Sequence, residues 1–162
     1  MEAVGSEDVI LALASPPPPA SAVILRIDGE GAHRLLLRFL SREAVSPEIL
    51  PIRRPIDVNL PWNPDLPSVP AVAIAWAQGE SWTGNESVEL VFPGADPILE
   101  GVMHLVQAEG ARMATPGEFT RRAFMNGRMD LSSAESVLAV IEAEDQASLN
   151  AARRVLEGDL AR

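Results

Sequence analysis

Proline sets the tightest limits on how this chain folds. Seven of the twenty-four residues from Pro47 to Pro70 are proline, and Pro16 to Pro19 form an unbroken run of four. Proline has no backbone N–H for a ladder or a helix and holds φ at about −65°. Neither a helix nor a central strand tolerates that density, so Pro47 to Pro70 reads as an extended, irregular surface excursion. The tetrad reads as a stiff surface crossing. Regular structure must lie between these stretches.

There the pattern is legible. Asp8 to Ala14 and Ala22 to Ile27 are short apolar runs rich in branched residues, two strands of one sheet. After the break Asp28 to Gly31, Leu35, Leu36, Phe39 and Leu40 recur at helical spacing. Val69 to Ala77 reads as a buried strand. Ser87 to Phe92 reads as another, with Val88, Leu90 and Phe92 on one face and Glu89 on the other. Ile98 to Ala108 is helical and stops at Gly110, a residue suited to a helix end. Thr115, Pro116 and Glu118 mark a helix start of capping-box type, with an end at Asn126-Gly127. Ser132 to Glu135 offers a second capping box, opening a pattern through Leu138, Ile141, Leu149 and Leu156 that predicts one helix of about 30 residues, which needs a partner to cover it. The fold class is α+β: a mixed sheet with flanking helices, then a long C-terminal helix.

Composition removes several chemistries. The chain of 162 residues has no Lys and no Cys, so it holds no phosphate-loop lysine, Schiff base, disulfide, thiolate nucleophile or zinc ribbon. Its two histidines, His33 and His104, are far apart, which leaves no metal site to expect. Thirteen Arg against twenty-three acidic residues give a net charge of −10, so nucleic acid would meet a local Arg patch rather than the whole surface. No apolar run reaches the ~20 residues of a membrane helix, and the first residues lack the basic region of a signal peptide. A cytoplasmic protein is expected.

Three strings carry more specific information: ATPGEFTRRAFMNGRMDLSSAESVLAVIEAE from Ala114 to Glu144, SWTGNESVEL from Ser81 to Leu90, and VILRIDG from Val23 to Gly29. Together they resemble the N-terminal part of the bacterial and organellar tRNA-modification GTPases, the MnmE or TrmE family. The resemblance implies an N-terminal folate-binding and dimerisation domain at residues 1–115, similar to the aminomethyltransferase fold. Residues 116–162 then begin a helical domain, into which the family inserts its GTPase domain. It also implies a homodimer that works with a flavoprotein partner on carbon 5 of the wobble uridine of tRNA. A tetrahydrofolate, in its 5-formyl or methylene form, supplies the carbon. Neither the GxxxxGK[ST] nor the NKxD motif occurs here, nor the family's C-terminal Cys motif, so GTP and potassium belong to a GTPase domain absent from this chain.

By the same resemblance, Arg26, Glu89 and Arg128 contact the folate; no catalytic residue and no metal ligand are assigned. A guanidinium grips a carbonyl or carboxylate with two donors, and a carboxylate accepts the paired N–H groups of a pterin. Taken without the family, Arg26 is an Arg on the exposed face of a strand, Glu89 a solvent-facing strand Glu, and Arg128 a partner for Asp130 or a helix end. Trp82 and Thr83 are candidates for a pocket wall, and Arg112, Arg121, Arg122, Arg153 and Arg154 for a tRNA-facing patch. Where the family has glycines before the first Arg strand and after the Glu strand, this chain has PPPPAS and FPGAD. That motivates an alternative: a non-catalytic dimerisation scaffold that has lost folate.

Overall fold

Alternation of apolar and polar residues builds the sheet. In the computed structural model, which describes residues 8–40, 50–141 and 143–159, the strands are β1 (Ile10–Leu13), β2 (Ala20–Asp28), β3 (Pro55–Leu60), β4 (Val69–Trp76), β5 (Ser87–Gly94) and β6 (Arg112–Met113). The helices are α1 (Ala32–Phe39), α2 (Asp96–Ala108), α3 (Glu118–Met125), α4 (Leu131–Ile141) and α5 (Gln146–Asp159). The first residues of the chain, the start of the proline-rich stretch at Pro47 and the side chain of Leu156 lie outside the description. No described helix is long and apolar enough to cross a membrane. The chain divides into two compact units, one running to Ser81 and from Asn85 to Ala114, the other comprising Trp82–Gly84 and the residues from Thr115 onward.

The first unit is a six-stranded mixed sheet in the order β3-β4-β5-β2-β1-β6, antiparallel throughout except where β6 runs parallel to β1. Val23, Leu25 and Ile27 of β2, Val88, Leu90 and Phe92 of β5, and Ala71, Ala73 and Ala75 of β4 point to one face. There they form the core with Leu35, Leu36 and Phe39 of α1 and Val102 and Val106 of α2. The small alanines of β4 leave room for the helices' larger side chains. The other face carries Ile24, Arg26, Ile74, Glu89 and Val91, all half-buried and outside that core cluster.

Two expectations need correction. The proline-rich stretch is not irregular throughout: Ile56, Val58 and Leu60 point into the core from β3, which pairs with β4 from Pro55↔Ile74 to Leu60↔Val69. A strand survives because β3 is an edge strand and its one proline is the first residue, where the missing donor costs little. Nor is there one long C-terminal helix. It breaks between α4 and α5 at Asp145, whose carboxylate accepts the Ser148 N–H at 2.7 Å while Asp145 N–H faces Ser148 Oγ at 3.3 Å. Those reciprocal bonds start a new helix. Periodicity alone cannot register such a break, because the apolar spacing carries on across it.

Helix α4 also begins two residues earlier than a cap at Ser132 would place it, with Asp130 Oδ1 accepting the Ser133 N–H at 2.8 Å. The end of α2 behaves as its Gly110 implies. Gly110 N–H bonds the Gln107 carbonyl at 3.0 Å and Ala111 N–H that of Val106 at 3.4 Å, a Schellman closure.

Candidate ligand-binding site

Strand register brings together two of the three residues singled out. Arg26 of β2 stands directly across from Glu89 of β5, in a row that continues to Ile74 of β4 and Ala12 of β1. Arg26 Nε and Nη2 both donate to Glu89 Oε1, at 3.0 and 2.7 Å. Their side chains keep 33% and 21% of their exposure, so the pair is neither sealed in the core nor fully hydrated. The grip is end-on: one carboxylate oxygen takes both donors. Among the described residues, Oε2 of Glu89 and Nη1 of Arg26 make no hydrogen bond. Ile24, Ile74 and Val91 flank the pair on the same face. One row further on, Ser21, Asp57, Val72, Val91 and Pro93 line an open depression of about 280 Å³.

A second polar cluster, not singled out from sequence, lies beside this row in the same unit. Asp28, two residues beyond Arg26 on the same strand, is fully buried and accepts Asn85 Nδ2 at 3.0 Å. Glu86 receives the Gly31 N–H at the start of α1, and its other oxygen lies 3.1 Å from His33 Nδ1. His33 Nε2 lies 2.9 Å from the Trp76 carbonyl oxygen. These contacts tie the start of α1, the end of β4 and the entry to β5, and so hold the ends of the two strands that carry Arg26 and Glu89. The signal in the sequence is thin: two polar turns, DGEG and GNES, with nothing to say that they meet.

Arg128 belongs to the second unit. Its backbone is set by the end of α3, where Gly127 adopts φ 68° and its N–H bonds the Phe124 carbonyl at 3.0 Å, while Arg128 N–H bonds that of Ala123 at 2.8 Å. Gly127 is required there because a side chain at positive φ is strained. The exposed Arg128 side chain runs against Gly84 of its own unit, where a Cβ would stand 3.0 Å from Arg128 Cγ. In the same turn Asn126 Nδ2 donates to the Thr83 carbonyl at 2.8 Å. Thr83 is buried and Trp82 exposed. Glu118, buried at the start of α3, accepts the Thr115 N–H at 2.9 Å and pairs with Arg122 at 3.3 Å and Arg121 at 3.8 Å. The reach back to Thr115 is the half of the capping box that forms. Thr115 itself does not cap; its hydroxyl lies 3.1 Å from the Glu118 carboxylate.

Residues 9–128, which contain the paired Arg26 and Glu89 and the Arg128 turn, match the family described as the GTP-binding protein TrmE N-terminus. The chain belongs to this family. It is 37% identical over 159 residues to the tRNA modification GTPase MnmE of Rhodopirellula baltica, covering 97% of this chain and 34% of that protein. The MnmE of Thermotoga petrophila is 38% identical over 154 residues, covering 94% and 33%. That of Thermus thermophilus is 36% identical over 170 residues, covering 96% and 36%. The chain thus spans about a third of the length of these relatives.

Proposed function

We propose that this TrmE N-terminal chain binds a tetrahydrofolate one-carbon donor, in its 5-formyl or methylene form, and forms a homodimer. In this reading it serves a tRNA wobble-uridine modification GTPase acting with a flavoprotein partner in the cytoplasm. The observation that carries the ligand half is the juxtaposition of Arg26 and Glu89 on the sheet face opposite α1 and α2, 2.7 Å apart and partly exposed. A guanidinium and a carboxylate set among Ile24, Ile74 and Val91 suit a flat heterocycle with both donor and acceptor groups and apolar faces. Arg128 is proposed as a further contact on family resemblance. GTP and potassium would act only through a GTPase domain outside this chain.

Calorimetric titration of the chain with 5-formyltetrahydrofolate tests this reading, with sedimentation for the dimer. Saturable binding lost in both Arg26→Ala and Glu89→Ala is the expected result, and Arg128→Ala tests the third contact separately. The absence of both heat and a rise in melting temperature overturns the ligand half, since a ligand that binds only the native state must stabilise it. One observation favours a second reading, a scaffold without folate: Glu89 Oε1 is already occupied by two Arg26 donors. Dimerisation without folate binding is the outcome that selects it.

A further inference from the structure

The arrangement of the ion pair limits how it can meet a ligand. A carboxylate oxygen has two lone pairs, and Glu89 Oε1 gives both to Arg26, through Nε at 3.0 Å and Nη2 at 2.7 Å. Two parallel N–H groups of a ligand therefore cannot span both oxygens of Glu89 while the pair is closed. What remains on offer is Oε2 as an acceptor and Nη1 as a donor, with no partner for either among the described residues. Along the row itself the flanking residues are uncharged: it continues into Ile74 and Ala12, and the nearest carboxyl along β2, that of Asp28, accepts from Asn85.

We propose that Arg26 and Glu89 read their ligand as one closed unit. Glu89 Oε2 accepts an N–H, Arg26 Nη1 donates to a carbonyl or carboxylate oxygen, and the bond through Oε1 persists in the complex. The ligand class is a planar heterocycle carrying an amino or ring N–H donor and an oxo acceptor. This deepens the folate reading above and rests on it. Arg26 is then a positioning residue for Glu89 as well as a contact: without its two donors on Oε1, the carboxylate turns freely about its side-chain torsions and Oε2 is no longer aimed. Two residues acting as a unit lose their contribution together when either is removed, so their effects do not add.

The test is a double-mutant cycle on the full chain, titrating 5-formyltetrahydrofolate into the unaltered protein and into Arg26→Ala, Glu89→Ala and the combined variant, with melting temperatures alongside. Each single change should weaken binding by about ten- to hundredfold, the range for a hydrogen bond to a charged group. The combined variant should be no weaker than the poorer single one by more than about twofold. The charge swap Arg26→Glu with Glu89→Arg rebuilds an ion pair with the donor and acceptor exchanged; it should keep the melting temperature near that of the unaltered protein and leave binding lost. Losses that multiply in the combined variant, or binding recovered by the swap, overturn the closed unit while leaving folate binding intact. If the swap does not fold, Arg26→Lys replaces it, keeping the charge without the two-donor grip. Binding weaker by about tenfold at an unchanged melting temperature supports positioning, and unchanged binding overturns it. No binding to the unaltered protein is the separate failure of the folate reading, and the closed unit falls with it.

Discussion

The main chain of Trp62 lies so close over α2 that a Cβ on Gly101 would stand 2.5 Å from the Trp62 carbonyl oxygen and 2.9 Å from Trp62 Cε3. An exposed helical Gly→Ala change ordinarily stabilises by about 1 kcal/mol. Here the sign should reverse, because a backbone oxygen cannot swing away as a flexible side chain can. Gly101→Ala should cost about 1–3 kcal/mol, the range for overpacking, read as a lower denaturant midpoint at unchanged slope. A midpoint equal to or above that of the unaltered chain would show that the 61–68 loop shifts freely.

Glu118 should be the most costly polar residue to remove in the second unit. It is 2% exposed, with Arg122 at 4%, and it holds the Thr115 N–H as well. Glu118→Ala withdraws a buried partner from a buried guanidinium and should destabilise by about 3–5 kcal/mol. Thermal unfolding of this variant beside Arg121→Ala makes the comparison. Arg121 is exposed and 3.8 Å from the same carboxylate, and its loss should cost at most about 1 kcal/mol.

Acid should loosen α5 through Asp145. Hydrogen bonds from the Ser148 N–H and then its hydroxyl hold this carboxyl below the ordinary aspartate value of 3.8, against a small opposing effect of desolvation. Because the folded value is depressed, the cap is fully stabilising above 3.8 and is lost as pH falls through the lower folded value. Amide protection of Ser148 and the residues after it, measured against the intrinsic exchange rate at each pH, should therefore fall at low pH. Asp145→Asn, which caps without titrating, should abolish that part of the response. The same acid-dependent loss of protection in Asp145→Asn would defeat the prediction.

The Arg26–Glu89 pair should matter little to stability. With Arg26 a third exposed and water screening the pair, Glu89→Gln should change unfolding free energy by less than about 1 kcal/mol. Chemical denaturation checks this, and a loss of several kcal/mol would mark the pair as a structural element rather than a surface held ready for a ligand.

Much of the fold was readable locally, and the exceptions have physical causes. The strands β2, β4 and β5 and the helices α1 and α2 follow from period-2 and helical patterning, and the ends of α2 and α3 from Gly110 and Gly127 at positive φ. β3 was hidden because its alternation of Ile56, Val58 and Leu60 sits inside a proline-rich stretch, and only an edge position makes that composition acceptable. The break at Asp145 was hidden because α4 and α5 carry one continuous apolar spacing, although the Asp-x-x-Ser pattern at residues 145–148 was there to be read. Arg26 and Glu89 were legible as candidates through the family strings, but their contact was not. The cluster of Asp28, Asn85, Glu86 and His33 was not singled out at all, since its members come from two turns more than fifty residues apart.

The sequence by itself determined the places of β1, β2, β4, β5, α1 and α2, which chemistries the missing Lys and Cys exclude, and which family the strings resemble. These properties depend on neighbours within a few residues, or on a direct count. Only the tertiary structure decided that β2 lies between β1 and β5 with Arg26 in register with Glu89, that one carboxylate oxygen takes both guanidinium donors, and that the prolines close an edge strand. Strand order and register are set by which faces bury together across sixty-three residues of chain. Every local pattern is compatible with several such pairings, and only burial of a single shared core selects among them.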